Sequence, residues 1–263
     1  MADESKSKEE LISELNHLRG QLGELDDTYR DLEKQMRDQT EELSKINDAM
    51  ATEVIKRKKL QEEFRLGCEK LQRVLNETIS ALSYAVEKRD PYTAGHQARV
   101  TKLAGAIAEH MNLSEQVIMG VKTAATVHDI GKINIPAEIL SKPSELTKIE
   151  YSMITVHPQI GYEILKNIEF PWPVSTIVLQ HHERLNGSGY PQGLQDDQII
   201  LEARILIVAD VVEAMASHRP YRPALGINMA LEEIEKKRGI LYDPAVADAC
   251  IQIFRTGKFA FEQ

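Results

Sequence analysis

Two cysteines, one tryptophan and 5% aromatic residues are a sparse supply for a chain of 263 residues. Cys68 and Cys250 lie far apart without any CxxC spacing, which argues against a disulfide framework and points to two reduced thiols. Basic residues are outnumbered, 32 against 41 acidic ones, and the net charge of −9 argues against nucleic acid as the main partner. A small anionic ligand stays possible, since it needs only a locally positive site. Long hydrophobic runs are missing too. The most apolar one, Ile205 to Ala209, ends at Asp210 and is far too short to cross a bilayer. The opening MADESKSKEE is polar and acidic, unlike a secretory leader. No convincing run alternates apolar and polar residues as a strand would. The expectation is a soluble, cytoplasmic, all-α protein with neither a membrane nor a nucleic-acid partner.

The chain has a hydrophobic content of 42%, enough for a real core, but unevenly spread. Residues 1–75 read as a rod and 76–263 as a helical domain. Leu11, Leu15, Leu18, Leu22, Leu25, Tyr29, Leu32 and Met36 step by four and three. Leu43, Ile46 and Met50 resume the pattern, which is the heptad seam of a coiled coil with charged flanks. It is compatible with a parallel homodimer, though scarce β-branched core residues leave the strand number open. Gly20 and Gly23 each weaken the helix by roughly 1 kcal/mol relative to alanine. The seam slips where Arg57 and Gln61 replace apolar residues, which changes a supercoil locally. Either the slip is ordinary imperfection, or it is a joint through which repacking of the rod turns the helices that enter the second domain. No sensory domain is read ahead of the rod, so input is expected either from a partner signalling protein or from an upstream sensor in a longer protein of which these residues are part.

Beyond residue 76 helical periods alternate with loops. Thr93 is placed to cap a helix carrying Val100, Leu103, Ile107 and Met111, and Ser114 to cap the next. Thr147 to Glu150 matches a capping box, and Pro158 favours a break after His157. A helix over roughly 173–183 delivers His181 and His182 at its end. Residues 199–217 form an apolar helix with Asp210 inside it, and Asp243-Pro244 opens the last helix.

The chemistry is organised around Val127-His128-Asp129-Ile130-Gly131-Lys132. His96 lies upstream, while His157, His181, His182 and Asp210 lie downstream. His17 and His110 are expected to be solvated. Asp210 sits in ILIVADVVEAM, where burying an unpaired carboxylate costs several kcal/mol; coordination to a cation removes the difficulty. Imidazole and carboxylate together suit iron, manganese, zinc or nickel better than calcium or magnesium. Seven candidate ligands exceed the needs of one ion, so two divalent transition-metal ions are expected, iron or manganese first, with Asp129 as the bridge. A hydroxide held between two cations is a nucleophile at neutral pH and suits phosphoester hydrolysis. Lys132, four residues after His128, would share a helical face with it and bind a phosphate oxygen. Two loops look like recognition elements. HHERLNGSGYP places Tyr190 to stack on a base or bond to phosphate, with glycines allowing close backbone approach. HRPYR offers Arg219 and Arg222 as bidentate forks.

The stretches RDPYTAGH (89–96), HDIGK (128–132), His157-Pro158, HHE (181–183), GYP (189–191) and the segment from Asp210 to Arg222 together resemble the HD-GYP domains. These are a branch of the HD metal-dependent phosphohydrolases. The resemblance covers residues from about 76 onward; the rod is similar to linkers found upstream of such domains. It implies hydrolysis of cyclic di-GMP, a bacterial second messenger, to pGpG or onward to GMP. His96, His128, Asp129, His157, His181, His182 and Asp210 would be the metal ligands. Asp129 and Lys132 would be catalytic, and Gly189, Tyr190, Pro191, Arg219 and Arg222 would contact substrate. Some members carry a glutamate, four residues before the first histidine, that helps hold a third metal; here the position is Tyr92, which favours two metals and pGpG as main product. Leu185-Asn186 replaces a common tryptophan-aspartate pair. A mixed cyclic GMP-AMP substrate, or a non-catalytic sensor or scaffold, remains an alternative.

Overall fold

The computed structural model describes residues 7–89, 95–142, 144–218 and 224–261. The fold is all-α, and no sheet forms among the described residues, as the lack of alternating segments predicts. The first helix, α1, runs without interruption over Lys8–Glu87. The chain divides into two compact units that part between Gln72 and Arg73.

In the first unit every described residue is exposed, the heptad leucines included: Leu22 and Leu25 are each 69% exposed. The helix is unbroken at Arg57 and Gln61, so the slip there is one of side-chain register and not of backbone. Ion pairs one turn apart, such as Asp26–Arg30, Glu41–Lys45 and Glu62–Arg65, line its flanks. At such exposure each contributes only about 0.2–0.5 kcal/mol. Most helical stability in proteins comes instead from packing an amphipathic face.

In the second unit the last turns of α1 behave differently. Ser83, Val86 and Glu87 are buried, at a spacing that turns one helical face inward. Helix α2 (His96–His110) packs on α3 (Glu115–Val127). It also packs on α8 (Leu201–Ala216), which α9 (Ile227–Lys236) and α10 (Pro244–Arg255) contact in turn. Between α3 and α8 the chain forms α4 (Ala137–Leu140), α5 (Lys148–Ile154), α6 (His157–Leu165) and α7 (Val174–Gln180). Val100, Leu103, Ile107, Val121, Ile177 and Leu206 are among the fully buried side chains of the shared core.

Three predicted caps are in place. Ser114 accepts from Val117 N, Thr147 and Glu150 form the reciprocal capping box, and Asp243 Oδ1 accepts from the amides of Ala245 and Val246. Each is typically worth about 1 kcal/mol. Other expectations need correction. Helix α2 begins at His96 with Gly95 as its cap residue, at φ 73°; Thr93 and the rest of residues 90–94 lie outside the described residues. His110 is half-buried rather than solvated and bonds through Nε2 to Gln252 Oε1 at 2.9 Å. Helix α3 stops at Val127, and Ile130–Asn134 form a 3-10 turn, so His128 and Lys132 do not share an α-helical face. The reason lies at Gly131: a Cβ there would stand 2.0 Å from the carbonyl oxygen of His157 and 2.7 Å from the amide of Gly161. The turn brings backbone against backbone at the start of α6, and only glycine fits. Pro158 lies in the first turn of α6, where its missing N–H leaves no bond unmade. Among the described residues no helix is long and apolar enough to cross a membrane. Both cysteines are free, Cys68 exposed and Cys250 buried.

Candidate metal centre

The helices of the second unit bring their polar residues together at element ends. His96 opens α2, His128 and Asp129 follow α3, His157 opens α6, His181 and His182 follow α7, and Asp210 projects from the middle of α8. Five imidazoles form a continuous chain, with ring centroids 5.4 Å apart for His96–His128 and 5.1 Å for both His128–His181 and His157–His181. The spacing is 5.0 Å for His157–His182 and 4.2 Å for His181–His182. All of these residues are buried except His182, which is half-buried.

Ligand atoms fall into two groups, His96 with His128 and Asp129, and His157 with His181 and His182, each with its atoms within 4.8 Å of one another. Asp129 touches both. Its Oδ2 lies 3.5 Å from His128 Nε2, and its Oδ1 lies 3.4 Å from His157 Nε2. Asp210 Oδ1 stands 3.2 Å from His96 Nε2, at the edge of the first group. All seven histidine and aspartate positions singled out from the sequence, His182 included, are thus brought into one cluster.

Three of the rings are oriented by backbone. Nδ1 of His128, His157 and His181 donates to the carbonyls of Ala125, Ile154 and Val178 at 2.8, 2.8 and 2.6 Å. Each acceptor lies in the last turn of a helix, where carbonyls lack an intrahelical partner. Nε2 is thereby left facing inward, the arrangement that metal-binding imidazoles require. The donor set fits transition-metal cations, nitrogen-rich with carboxylate oxygens between.

Charge is distributed unequally. Burial, with the Lys132 ammonium and the His128 imidazole behind it, pulls His157 down to about 4; burial and neighbouring imidazoles pull His181 to about 3 and hold His182 well below its ordinary 6.5. His96 goes the other way: burial would lower it, but hydrogen bonds with Asp210 and Glu213 prevail and raise it to about 9. Burial would raise Asp129, yet the Lys132 ammonium and the imidazoles hold its carboxyl well below the usual range. Lys132 Nζ is 2.7 Å from Asp129 Oδ2 with its side chain only 14% exposed, so it is built into the cluster and is no surface cation.

The GYP stretch is organised by its neighbours. A Cβ on Gly189 would lie 2.4 Å from Glu183 Cα, so the glycine serves backbone contact with the HHE turn. Tyr190 stacks on His182 with centroids 4.8 Å apart and donates its amide to the His182 carbonyl. Pro191 follows in a cis peptide and is exposed. Arg219 and Arg222 lie outside the described residues, as does Tyr92.

Several residues escaped the sequence reading. Glu183, fully buried, accepts from the amides of Gln192 and Leu194 at 2.7 and 3.0 Å and folds the loop around itself. Arg89 donates to the carbonyls of Ile133 and Ile135 and fastens the end of the 3-10 turn. Glu213, also fully buried, binds His96 Nδ1. The last was visible in principle, as a second acid one turn after Asp210 in ILIVADVVEAM.

Residues 80–246 match the family model described as the HD domain. The chain belongs to the HD domain family. The chain is similar to the cyclic di-GMP phosphodiesterase response regulator RpfG of Xanthomonas campestris pv. campestris (strain 8004). The two are 41% identical over 205 residues, covering 76% of this chain and 54% of the relative. It is also similar to the 3'3'-cGAMP-specific phosphodiesterase 3 of Vibrio cholerae serotype O1, 34% identical over 166 residues, 63% of this chain and 36% of that one. The chain thus spans about half the length of these relatives or less. In fold the HD domain resembles Bd1817, a HDG"Y"P protein from Bdellovibrio bacteriovorus, with a TM-score of 0.52 at 18% identity over 61% of this chain and 51% of that one. The pair that names the family corresponds to His128 and Asp129, where the two ligand groups meet.

Proposed function

We propose that the chain is a metal-dependent phosphodiesterase that hydrolyses cyclic di-GMP, mainly to pGpG. The observation that carries the reading is the single carboxylate of Asp129 set between two groups of inward-facing donors. His96, His128, Asp129 and Asp210 would hold one divalent transition-metal ion, and His157, His181, His182 and Asp129 a second. Iron or manganese is preferred, with zinc or nickel as alternatives. When bound, such ions activate water and neutralise charge on phosphoryl oxygens. The chain's own residues do the rest. Backbone carbonyls hold the rings of His128, His157 and His181, Lys132 orients Asp129 and offers positive charge to phosphate, and the apolar core excludes bulk water. Tyr190, with Gly189 and Pro191 shaping its loop, would border the nucleotide, and Arg219 and Arg222 would grip its phosphates. Tyr92 in place of a glutamate supports two ions and a first product that is released rather than cleaved again.

The rod, residues 1–75, would join two copies in a parallel homodimer and connect the phosphohydrolase domain, 76–263, to an upstream sensor or partner signalling protein in the cytoplasm. A second substrate, cyclic GMP-AMP, is favoured by the name of the Vibrio relative. A non-catalytic sensor has less support, because seven converging ligands exceed what nucleotide binding needs. Incubating purified protein with cyclic di-GMP or cyclic GMP-AMP and manganese or ferrous ions, with products separated chromatographically, tests the reading. Formation of pGpG and two ions per folded chain is expected. Intact substrate under every metal overturns it in favour of the sensor.

A further inference from the structure

The helix ends that serve three histidines cannot serve His96. His128 and His181 follow the last turns of α3 and α7, and His157 follows α5, where free carbonyls lie three residues back. His96 is the first residue of α2, and a helix N-terminus presents N–H donors, not acceptors. An acceptor for its Nδ1 must come from elsewhere in the fold. It comes from α8: Glu213 Oε2 bonds to His96 Nδ1, while Asp210, one turn earlier, faces Nε2 of the same ring at 3.2 Å. A single helix holds both edges of this imidazole.

Glu213 is itself fixed. Its other oxygen, Oε1, takes Arg99 Nε at 2.7 Å and Ser217 Oγ at 2.6 Å. The carboxylate is fully buried, yet both oxygens are satisfied, so it does not wander between partners. Arg99 lies one turn after His96 on α2, which makes the contact reciprocal: α2 lends a cation to α8, and α8 lends an anion to α2.

We propose that Glu213 is the positioning residue for His96, committing Nδ1 as donor so that Nε2 points at the first ligand group. A carboxylate partner also makes the imidazole a stronger donor than a backbone carbonyl does. The group built on His96 should therefore depend on this side chain, and the group built on His157, His181 and His182 should not. The inference rests on the proposed metal centre, and the test separates the two.

Manganese or zinc is titrated into metal-free wild type and Glu213→Gln by calorimetry, and the zinc forms are compared by nitrogen-edited NMR of the imidazoles. Wild type should bind two ions. The variant should bind one with unchanged affinity and the other about 10–100-fold more weakly, with the His96 Nδ1 proton shifted upfield. A merely structural role would lower the melting temperature without singling out one ion. Two ions held as tightly by the variant as by wild type overturn the inference and leave the metal centre standing. No ion on wild type overturns the centre itself. Should Glu213→Gln fail to fold, Glu213→Asp keeps the charge for Arg99 and withdraws it from the ring by one methylene. The same selective weakening is then expected, and equal weakening of both ions overturns the inference.

Discussion

Leu22 of α1 is 69% exposed, while Glu213 of α8 is fully buried. The two units of this chain reverse the usual placement of apolar and charged groups, and they do so with the same helical geometry. In the first unit a leucine seam faces water, where each side chain forgoes roughly 1.5–3 kcal/mol available from burial. In the second, five carboxylates and four imidazoles among the described residues are removed from water, which costs several kcal/mol per unpaired ion. Each arrangement makes sense when its complement is supplied: a second seam for the rod, cations for the bundle. The comparison can be broken by removing one complement and asking whether the other unit notices.

The largest effect should come from Asp129→Ala. It removes the one carboxylate shared by both ligand groups and also the partner of Lys132. Turnover should fall to background and ion stoichiometry below two, while sedimentation of the rod-bearing protein stays that of wild type. Retained turnover would remove the bridging role. Next comes the converse experiment. Leu22→Asp with Leu25→Asp places charges in the seam and should dissociate the proposed dimer, with loss of helical signal from the rod and no change in cation uptake. A dimer that persists would show that the exposed leucines are not its interface.

The helical character of the first unit, the caps at Ser114, Thr147 and Asp243, and the drawing together of the histidines were legible in the sequence, because these rest on local periodicity and residue chemistry. The 3-10 turn after Asp129 was not. That turn depends on Gly131 lying against the backbone of His157 and Gly161, a contact between segments some 30 residues apart. Glu183, Arg89 and Glu213 escaped for the same reason. Their partners are backbone amides, carbonyls and a ring supplied by other elements; Glu213 alone carries a local sign, one turn after Asp210 in an apolar helix, and that spacing does not name His96 as its partner. Tyr190 was read as a substrate contact, and its ring lies on His182; a motif marks where a residue matters before it says which neighbour holds it there.

A third test acts on protonation and concerns the metal-free bundle. His157 and His181 are depressed from 6.5 to about 4 and about 3. Between about pH 6.5 and those values the unfolded chain binds protons that the folded one refuses, so stability must fall as pH drops through that window. His96, raised to about 9, contributes in the opposite sense: its stabilisation is full below about 6.5 and is lost as pH rises through 9. With chelator present, the melting temperature of the bundle should therefore decline on both sides of neutrality, and the exposed rod should show neither limb. A flat profile between about pH 5 and 7 would mean that the buried rings are hydrated in solution.

The smallest effect bears on where α1 ends. Helix α2 opens on Gly95, which offers no side chain to its first amides, and Glu87 from the last turn of α1 takes their place. Its Oε1 accepts from Gln97 N at 3.1 Å in a buried setting. Ser83, one turn earlier, lies 2.5 Å from Gln97 Oε1 and equally close to the Thr126 carbonyl. Glu87→Gln keeps an acceptor but removes a charge favoured at a helix N-terminus, a loss of about 0.3–1 kcal/mol. Glu87→Ala removes both and should cost about 1–2 kcal/mol, read as a lower denaturation midpoint of the metal-free bundle. Gln97 adjoins His96, so cation affinity in the first ligand group should drop only a few-fold, well short of the Glu213→Gln effect. A larger drop for Glu87→Ala than for Glu213→Gln would mean that His96 is held in place chiefly by the backbone of α2 and only secondarily by its carboxylate partner.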